Sequence, residues 1–269
     1  MSVTTLEAFA MLPPEAVAAA AGVLGLFIGS FLNVCIDRYV AGESIVFPPS
    51  HCTHCGHRLG AADLIPVLSW LMLGGKCRYC RHPLSPAYPV SELATGLVFA
   101  LTALHFGAGS ETLAALVFAS LFIVMSGIDL RIFILPDRLT YPTAVLAWPA
   151  AVWIFGRSWL DAALGGIVGA GVFWLLARYY RWRTGRDGLG LGDVKLMLSV
   201  GFLCGLEHLP LAVLLASAAA LAGFGVMAAM GRRGLGSVRL PFGPFLCCAA
   251  WVTLVYGGPL WALWLGIVL

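Results

Sequence analysis

The sequence predicts an all-α, polytopic helical membrane protein with about eight transmembrane helices. Of the 269 residues, 60% are hydrophobic and only 11% are charged, whereas an average soluble domain has about 25% charged residues. Apolar runs close to the length of about 20 residues that crosses a bilayer as a helix recur along the whole chain. Together these observations exclude a soluble protein with one large core.

The predicted spans follow one another with short connections, apart from one polar insertion at 36–87. In chain order the spans are 16–35, 88–106, 112–128, 139–156, 160–180, 194–206, 209–230 and 242–257. The tail 259–269 is too short to cross a bilayer alone, so seven spans or a re-entrant tail are alternatives. We therefore divide the chain into a first helix (1–35), a polar loop (36–87) and a helical membrane domain (88–269).

The distribution of Lys and Arg predicts the orientation in the membrane. Under strict alternation, 15 of the 16 basic residues fall on one side, with the largest groups in 36–87, 178–195 and 231–240. This side is predicted to be cytoplasmic, which places the N-terminus outside. The basic residues follow the first apolar segment, so we interpret that segment as a retained helix and not a signal peptide. They are dispersed over separate loops and form no single patch, which argues against nucleic acid as a partner. Membrane lipid is the partner expected for a polytopic membrane protein.

The polar loop contains two CxxC pairs, "CTHC" and "CRYC", which predict a structural zinc site. Cys52, Cys55, Cys77 and Cys80 are the candidate ligands. Two such turns can direct four thiolates to one tetrahedral ion, and a filled shell leaves no open position for catalysis. The predicted cytoplasmic location argues against disulfides. Free cysteines or a redox pair are the alternatives, and the nearby histidines 51, 54, 57 and 82 are interpreted as solvated loop residues.

Two aspartates at the ends of apolar segments are the candidate catalytic pair. Asp129 ends the third predicted span in "GIDLRIFILPD", and Asp193 begins the sixth in "GLGLGDVKL". The predicted topology places both at the cytoplasmic face of the membrane. Two carboxyl groups that meet in a pocket of low dielectric constant cannot both ionise easily, so they share a proton. Such a pair can act as base and acid on a water molecule.

The alternative for Asp193 is a purely structural role, in which it caps its helix and pairs with Lys195 or an arginine. Asp137 is interpreted as an N-cap because it follows Pro136 at the start of the fourth span. The sequence alone does not show that Asp129 and Asp193 meet.

Longer motifs in the same order resemble the type IV prepilin peptidases, also called prepilin leader peptidase/N-methyltransferases. The segments that carry the resemblance are "GLFIGSFLNVCIDR" (25–38), "IPVLSWLMLGGKCRYC" (65–80), "YPVSELATG" (88–96), "GIDLRIFILPD" (127–137), "GLGLGDVKL" (188–196) and "LPFGPFLCCAA" (240–250). The family's catalytic aspartates fall on Asp129 and Asp193. The departures, Phe133 in the first aspartate motif and "SPAYP" after the second cysteine pair, touch neither position.

The resemblance implies two activities in a bacterial inner (cytoplasmic) membrane. One is cleavage of the basic leader from type IV prepilins or type II secretion pseudopilins at the cytoplasmic side. The other is methylation of the new N-terminal amine with S-adenosylmethionine as methyl donor, for which the family's determinants fall on Gly75 and Lys76. A leader peptidase without methyltransferase activity is the alternative. A carboxylate-lined transporter and a non-enzymatic assembly factor are rival classes that would not depend on both aspartates as a catalytic pair.

Overall fold

The computed structural model describes residues 13–229 and 240–268, and no strand occurs within these ranges. The helices in chain order are α1 (Pro14–Ala41), α2 (Leu68–Met72), α3 (Ala87–Phe106), α4 (Ser110–Ile132), α5 (Asp137–Trp153), α6 (Trp159–Thr184), α7 (Leu191–Ala229) and α8 (Gly243–Val268). The all-α prediction is confirmed. Residues 1–12 of the predicted first segment and nearly all of the basic loop 231–240 lie outside the described residues.

Six helices in the described ranges are long and apolar enough to cross a membrane, two fewer than the eight predicted spans. They are α1, α3, α4, α6, α7 and residues Gly243–Trp264 of α8. The predicted fourth span, α5, has 17 residues and contains Pro142 and Pro149. The predicted sixth and seventh spans are both contained in α7, which has 39 residues. The tail predicted to be separate continues α8 through Pro259.

Helix α7 is interrupted at Gly205, whose φ of 71° and ψ of 170° are not helical. Two polar side chains satisfy backbone groups that the interruption leaves without helical partners. The Asp161 carboxylate accepts the N–H of Leu206 at 3.0 Å, and the Arg157 guanidinium donates to the Leu203 carbonyl at 2.7 Å. At 1.5 Å per residue, 39 residues extend for about 58 Å, close to twice the ~30 Å hydrocarbon core. The interruption therefore divides α7 into two segments.

The chain forms two compact units, Met1–Gly127 and Ile128–Leu269. In the first unit, α1 packs against α3 through small residues spaced four apart. A Cβ added at Gly25 would lie 2.8 Å from the Gly96 Cα, and one at Gly29 would lie 2.9 Å from the Glu92 Cα. Small residues allow two helix backbones to approach this closely in a membrane protein. The polar loop 42–86 connects these two helices.

In the second unit, α7 is the central element and contacts α5, α6 and α8. Its side chains Leu196, Met197, Val200 and Leu203 are fully buried. The end of α4, from Ile128 onward, belongs to this unit. The N-terminal ends of α7 and α8 and the C-terminal end of α4 supply the residues of the candidate active site.

Candidate active site and cysteine cluster

The two CxxC turns of the first unit adopt the same backbone conformation at positions 25 residues apart. In the first turn the N–H of Cys52 donates to the His57 carbonyl at 2.9 Å, and in the second the N–H of Cys77 donates to the His82 carbonyl at 2.9 Å. Each turn is closed by one isolated antiparallel bridge. The sequence signal of this equivalence is the pattern CxxCxH, which occurs at 52–57 and again at 77–82.

The two turns bring the four cysteine sulfurs together. The Sγ atoms of Cys52, Cys55, Cys77 and Cys80 all lie within 4.8 Å of one another, and those of Cys52 and Cys80 are 3.9 Å apart. Four thiolates about 2.3 Å from a tetrahedral zinc ion would be separated by about 3.8 Å. Backbone N–H groups of Cys80 and Tyr79 donate to the Cys77 sulfur and lower the pKa of its thiol to about 7. The geometry and the donor set fit a four-thiolate metal site.

Three of the four histidines of the loop stack between the two turns, whereas the Nδ1 of the half-buried His51 lies 3.1 Å from the Pro49 carbonyl oxygen. The rings of His54 and His82 are 4.1 Å apart and nearly parallel, and those of His57 and Tyr79 are 3.6 Å apart. These side chains are exposed, as predicted, but the stacking gives them a packing role that the interpretation as solvated residues lacked. None of them belongs to the four-residue cluster of potential metal ligands among the described residues.

Gly75 and Lys76 directly precede the second CxxC turn and have different surroundings. Gly75 is buried, has a φ of 68°, and lies against the indole of Trp70, so an added Cβ would be 2.8 Å from a ring carbon. Lys76 is exposed and forms the bridge with Pro83 through its backbone. Of the two, only Gly75 contacts the interior of the loop.

Asp129 is buried at the end of α4, with 5% of its surface exposed. The N–H of Gly243, the first residue of α8, donates to its carboxyl group. A Cβ at Gly243 would lie 2.5 Å from the Asp129 Oδ2, so only a glycine leaves room for this contact. Phe133 then turns the chain away from the helix with a φ of 56°, and its N–H donates to the Asp129 carbonyl.

Asp193 lies in the first turn of α7 and is partly buried. The N–H of Gly190 donates to its carboxyl group, and its charge and that of Asp129 are close enough to repel each other. The buried Leu135 lies against Gly192 of α7, next to Asp193, and against Gly243 of α8, which contacts the Asp129 carboxyl group. The structure thus brings the two predicted aspartates into one site, although the sequence separates them by 64 positions.

Lys195 pairs with Asp137 and not with Asp193. The Lys195 Nζ is 2.6 Å from the Asp137 Oδ1 and 5.0 Å from the centre of the Tyr141 ring. The interpretation of Asp137 as an N-cap is wrong, because Pro136 occupies the cap position and no side-chain cap bond forms. The structural alternative for Asp193 is therefore wrong in its pairing with Lys195. Its capping part agrees with the N–H of Gly190, which donates to the Asp193 carboxyl group at the start of α7.

Sequence reasoning assigned no role to several buried polar side chains of the first unit. Arg38 donates to the carbonyls of Ser44, Ile45 and Pro48, and Glu92 accepts the N–H of Val67 at 2.7 Å. Both residues occur in segments that carry the family resemblance. A charged residue within an apolar membrane segment costs free energy and therefore indicates a specific role. This signal could have identified Glu92 from the sequence.

Comparison with known proteins places both units in one class of membrane peptidase. Residues 23–106 match the Bacterial Peptidase A24 N-terminal domain, and residues 116–226 match the Type IV leader peptidase family. The chain belongs to the prepilin leader peptidase/N-methyltransferase family. No solved structure matches.

Three relatives, each named prepilin leader peptidase/N-methyltransferase, illustrate the extent of this similarity. A protein of Burkholderia pseudomallei (strain 1026b) is 36% identical over 96% of this chain and 91% of its own length. A protein of Xanthomonas campestris pv. campestris is 37% identical over 90% of this chain and 92% of its own length. A protein of Aeromonas hydrophila is 35% identical over 86% of this chain and 88% of its own length. The similarity therefore extends over both units.

Proposed function

We propose that this chain removes the leader peptide from prepilins and methylates the new N-terminal residue. The observation that carries the peptidase proposal is the convergence of Asp129 and Asp193 in a site to which α4, α7 and α8 contribute. The relatives' names support both activities. The matched leader peptidase region, 116–226, contains both aspartates.

The two carboxyl groups can supply the acid and the base for peptide hydrolysis. When two carboxylates share one proton, the ionised group takes a proton from water while the protonated group donates to the carbonyl oxygen of the scissile bond. The water oxygen then bonds to the carbonyl carbon. As the tetrahedral intermediate collapses, the C–N bond breaks and the leaving amine receives a proton. Asp129 and Asp193 are the groups that we assign to these proton transfers, with neither metal nor covalent enzyme intermediate.

The substrates that fit this site are type IV prepilins or type II secretion pseudopilins, whose N-terminal apolar helix lies in the bilayer. The six apolar helices support an integral membrane protein, and we place it in the bacterial inner membrane. With α5 and each of the two segments of α7 counted as a crossing, Lys and Arg are in excess in alternate loops, which supports an outside N-terminus and a cytoplasmic active site. A basic leader on the cytoplasmic side would present its scissile bond near the membrane surface.

The four cysteines would hold a structural zinc ion, because their filled tetrahedral shell leaves no position for substrate. S-adenosylmethionine would supply an electrophilic methyl group for the second activity. The N-terminal amine produced by cleavage forms the new N–C bond while the C–S bond breaks. The electron pair of that bond stays on sulfur, and one amine proton passes to solvent. We assign Gly75 and Lys76 to this second activity.

The proposal is tested with Asp129→Asn and Asp193→Asn in membranes that contain a prepilin. We expect either change to reduce the rate of leader cleavage by about 10²–10⁴-fold or more, because it removes one member of the proton-transfer pair. Asp137→Asn is the matched control, because this exposed carboxylate pairs with Lys195 outside the site. The rate of leader cleavage by this variant should remain within about twofold of that of the unchanged protein. The mass of the intact pilin measures the outcome. Undiminished cleavage in either of the first two variants contradicts the assignment.

A further inference from the structure

The first unit contains a cavity of about 320 Å³, and neither Asp129 nor Asp193 is among its lining residues. Its walls come from α1, α3 and the cysteine loop, and all lining residues lie between 30 and 92. The volume is at the lower end of the range of small-molecule sites, about 300–1,000 Å³. The cavity is thus large enough for a ligand of a few hundred daltons.

The walls of the cavity carry more negative than positive charge. Four carboxylates line it, from Asp37, Glu43, Asp63 and Glu92, against the guanidinium groups of Arg38 and Arg78. Both guanidinium groups are engaged within the protein.

The Arg78 guanidinium pairs with Asp63 at 2.6 Å, and Arg38 donates to three carbonyls of the loop that follows α1. Cys52 and Cys77 also line the cavity, and as thiolates of a metal site they would add negative charge nearby. The excess charge favours a cationic ligand and disfavours a nucleoside phosphate.

Two aromatic side chains line the same cavity and are held in position by hydrogen bonds. The indole N–H of Trp70 donates to the Leu84 carbonyl at 3.3 Å, and Gly75 packs against the indole ring. The hydroxyl of Tyr88 donates to the Asp37 carboxylate at 2.8 Å. Aromatic rings stack on purines and attract cations through their π faces.

We propose that this cavity is the binding site for the methyl donor, S-adenosylmethionine. The donor combines a purine with a sulfonium cation, an ammonium group and a carboxylate, so that its net charge is positive. The aromatic walls match the purine, and the acidic walls match the two cationic groups. The inference rests on the proposed N-methyltransferase activity. It also gives Gly75 a role as a positioning residue, because Gly75 contacts the ring of Trp70.

The test measures binding of S-adenosylmethionine and of its neutral product, S-adenosylhomocysteine, to the purified full chain by titration calorimetry. Asp37→Asn removes one charge but keeps an oxygen that accepts from the Tyr88 hydroxyl. Ser30→Phe fills the cavity from α1. Glu15→Gln, at an exposed position of the same helix, is the matched control.

We expect Asp37→Asn to raise the Kd for S-adenosylmethionine at least about tenfold and the Kd for S-adenosylhomocysteine by less, because only the first ligand carries the sulfonium charge. Ser30→Phe should weaken the binding of both ligands. The control should bind both as the unchanged protein does. Leader cleavage, measured on the same samples, should stay within about twofold and show that each variant is folded.

Two failures are distinguishable. If the unchanged protein binds neither ligand, the proposed methyltransferase activity fails together with the site. If the unchanged protein binds and both cavity variants bind equally well, the cavity is not the donor site and the proposed activity stands. If Asp37→Asn raises the Kd of both ligands by the same factor, the charge argument for the cavity is contradicted.

Discussion

Gly75 illustrates how one residue of the loop combines two structural requirements. Its φ of 68° lies in the left-handed region, where a side chain costs about 1 kcal/mol or more. Its Cα also lies against the Trp70 indole. The neighbouring Gly74 has a similar φ of 61° but nothing within 4 Å of an added Cβ. A comparison of substitutions at Gly74 and Gly75 therefore distinguishes the effect of backbone strain from the effect of contact with Trp70.

The residue-scale prediction compares Gly75→Ala with Gly74→Ala. Both variants should lose about 1 kcal/mol of stability through strain in the turn. Only Gly75→Ala should displace the Trp70 indole, and we expect it to raise the KM for the methyl donor at least about tenfold while cleavage continues. Steady-state methylation of a trimmed pilin measures this difference. Equal KM values for the two variants would contradict a positioning role for Gly75.

Val67 shows a second strained position near the same cavity. It is β-branched yet has a φ of 61°, a conformation that persists only where surrounding contacts enforce it. Its N–H donates to the buried carboxylate of Glu92 at 2.7 Å. Glu92 thus holds the turn that precedes α2, from which Trp70 reaches the cavity.

At the scale of helices, the crossing of α6 and α7 depends on two glycines. A Cβ on Gly165 would lie 2.3 Å from the Gly201 carbonyl oxygen, and a Cβ on Gly201 would lie 2.2 Å from that of Gly165. The obstructing atoms belong to the backbone and cannot rotate away. In contrast, Gly171 on the same helix α6 has nothing within 4 Å of an added Cβ.

The helix-scale prediction compares Gly165→Ala with Gly171→Ala. We expect Gly165→Ala to destabilise the protein by roughly 1–3 kcal/mol, since the helices must separate or bend to admit the methyl group. Gly171→Ala should be neutral or stabilising by up to about 1 kcal/mol, because alanine has the higher helix propensity. Thermal unfolding in detergent measures both. A neutral Gly165→Ala would mean that the helices do not pack this closely.

At the scale of the whole molecule, the two proposed activities are assigned to different units of the chain. The cysteine cluster and the donor cavity belong to Met1–Gly127, and the aspartates belong to Ile128–Leu269. Loss of the metal site should therefore affect methylation first. The order of the reactions is also set, because the amine to be methylated exists only after cleavage.

The whole-molecule prediction concerns the metal. The purified protein should contain about one zinc per chain, and Cys52→Ser should release it because an incomplete thiolate set binds weakly. We expect this variant to leave a trimmed pilin that lacks the N-terminal methyl group. Cys248→Ser, at an exposed cysteine outside the cluster, is the control and should keep both zinc and methylation. Cleavage and methylation falling in equal proportion in Cys52→Ser would contradict the assignment to separate units.

Much of the fold was predictable because its signals are local. Apolar runs identify helices directly, and CxxC spacing identifies a sulfur cluster because each turn determines two ligand positions. The span count differs by length alone, because α5 has only 17 residues and the predicted sixth and seventh spans are joined in α7. The break at Gly205 lies close to the predicted boundary between those two spans. The role of Asp137 was also mistaken, because its partner Lys195 is 58 positions away.

The sequence by itself therefore determined the membrane class, the helical fold and the candidate residues, all of which depend on composition and short-range spacing. Only the tertiary structure decided which of these residues meet. It brought Asp193 to Asp129, paired Lys195 with Asp137, and enclosed a cavity beside the cysteine turns. The physical reason is that such contacts depend on how closely distant helices approach. That approach is set by backbone packing at small residues such as Gly25, Gly29, Gly165 and Gly201.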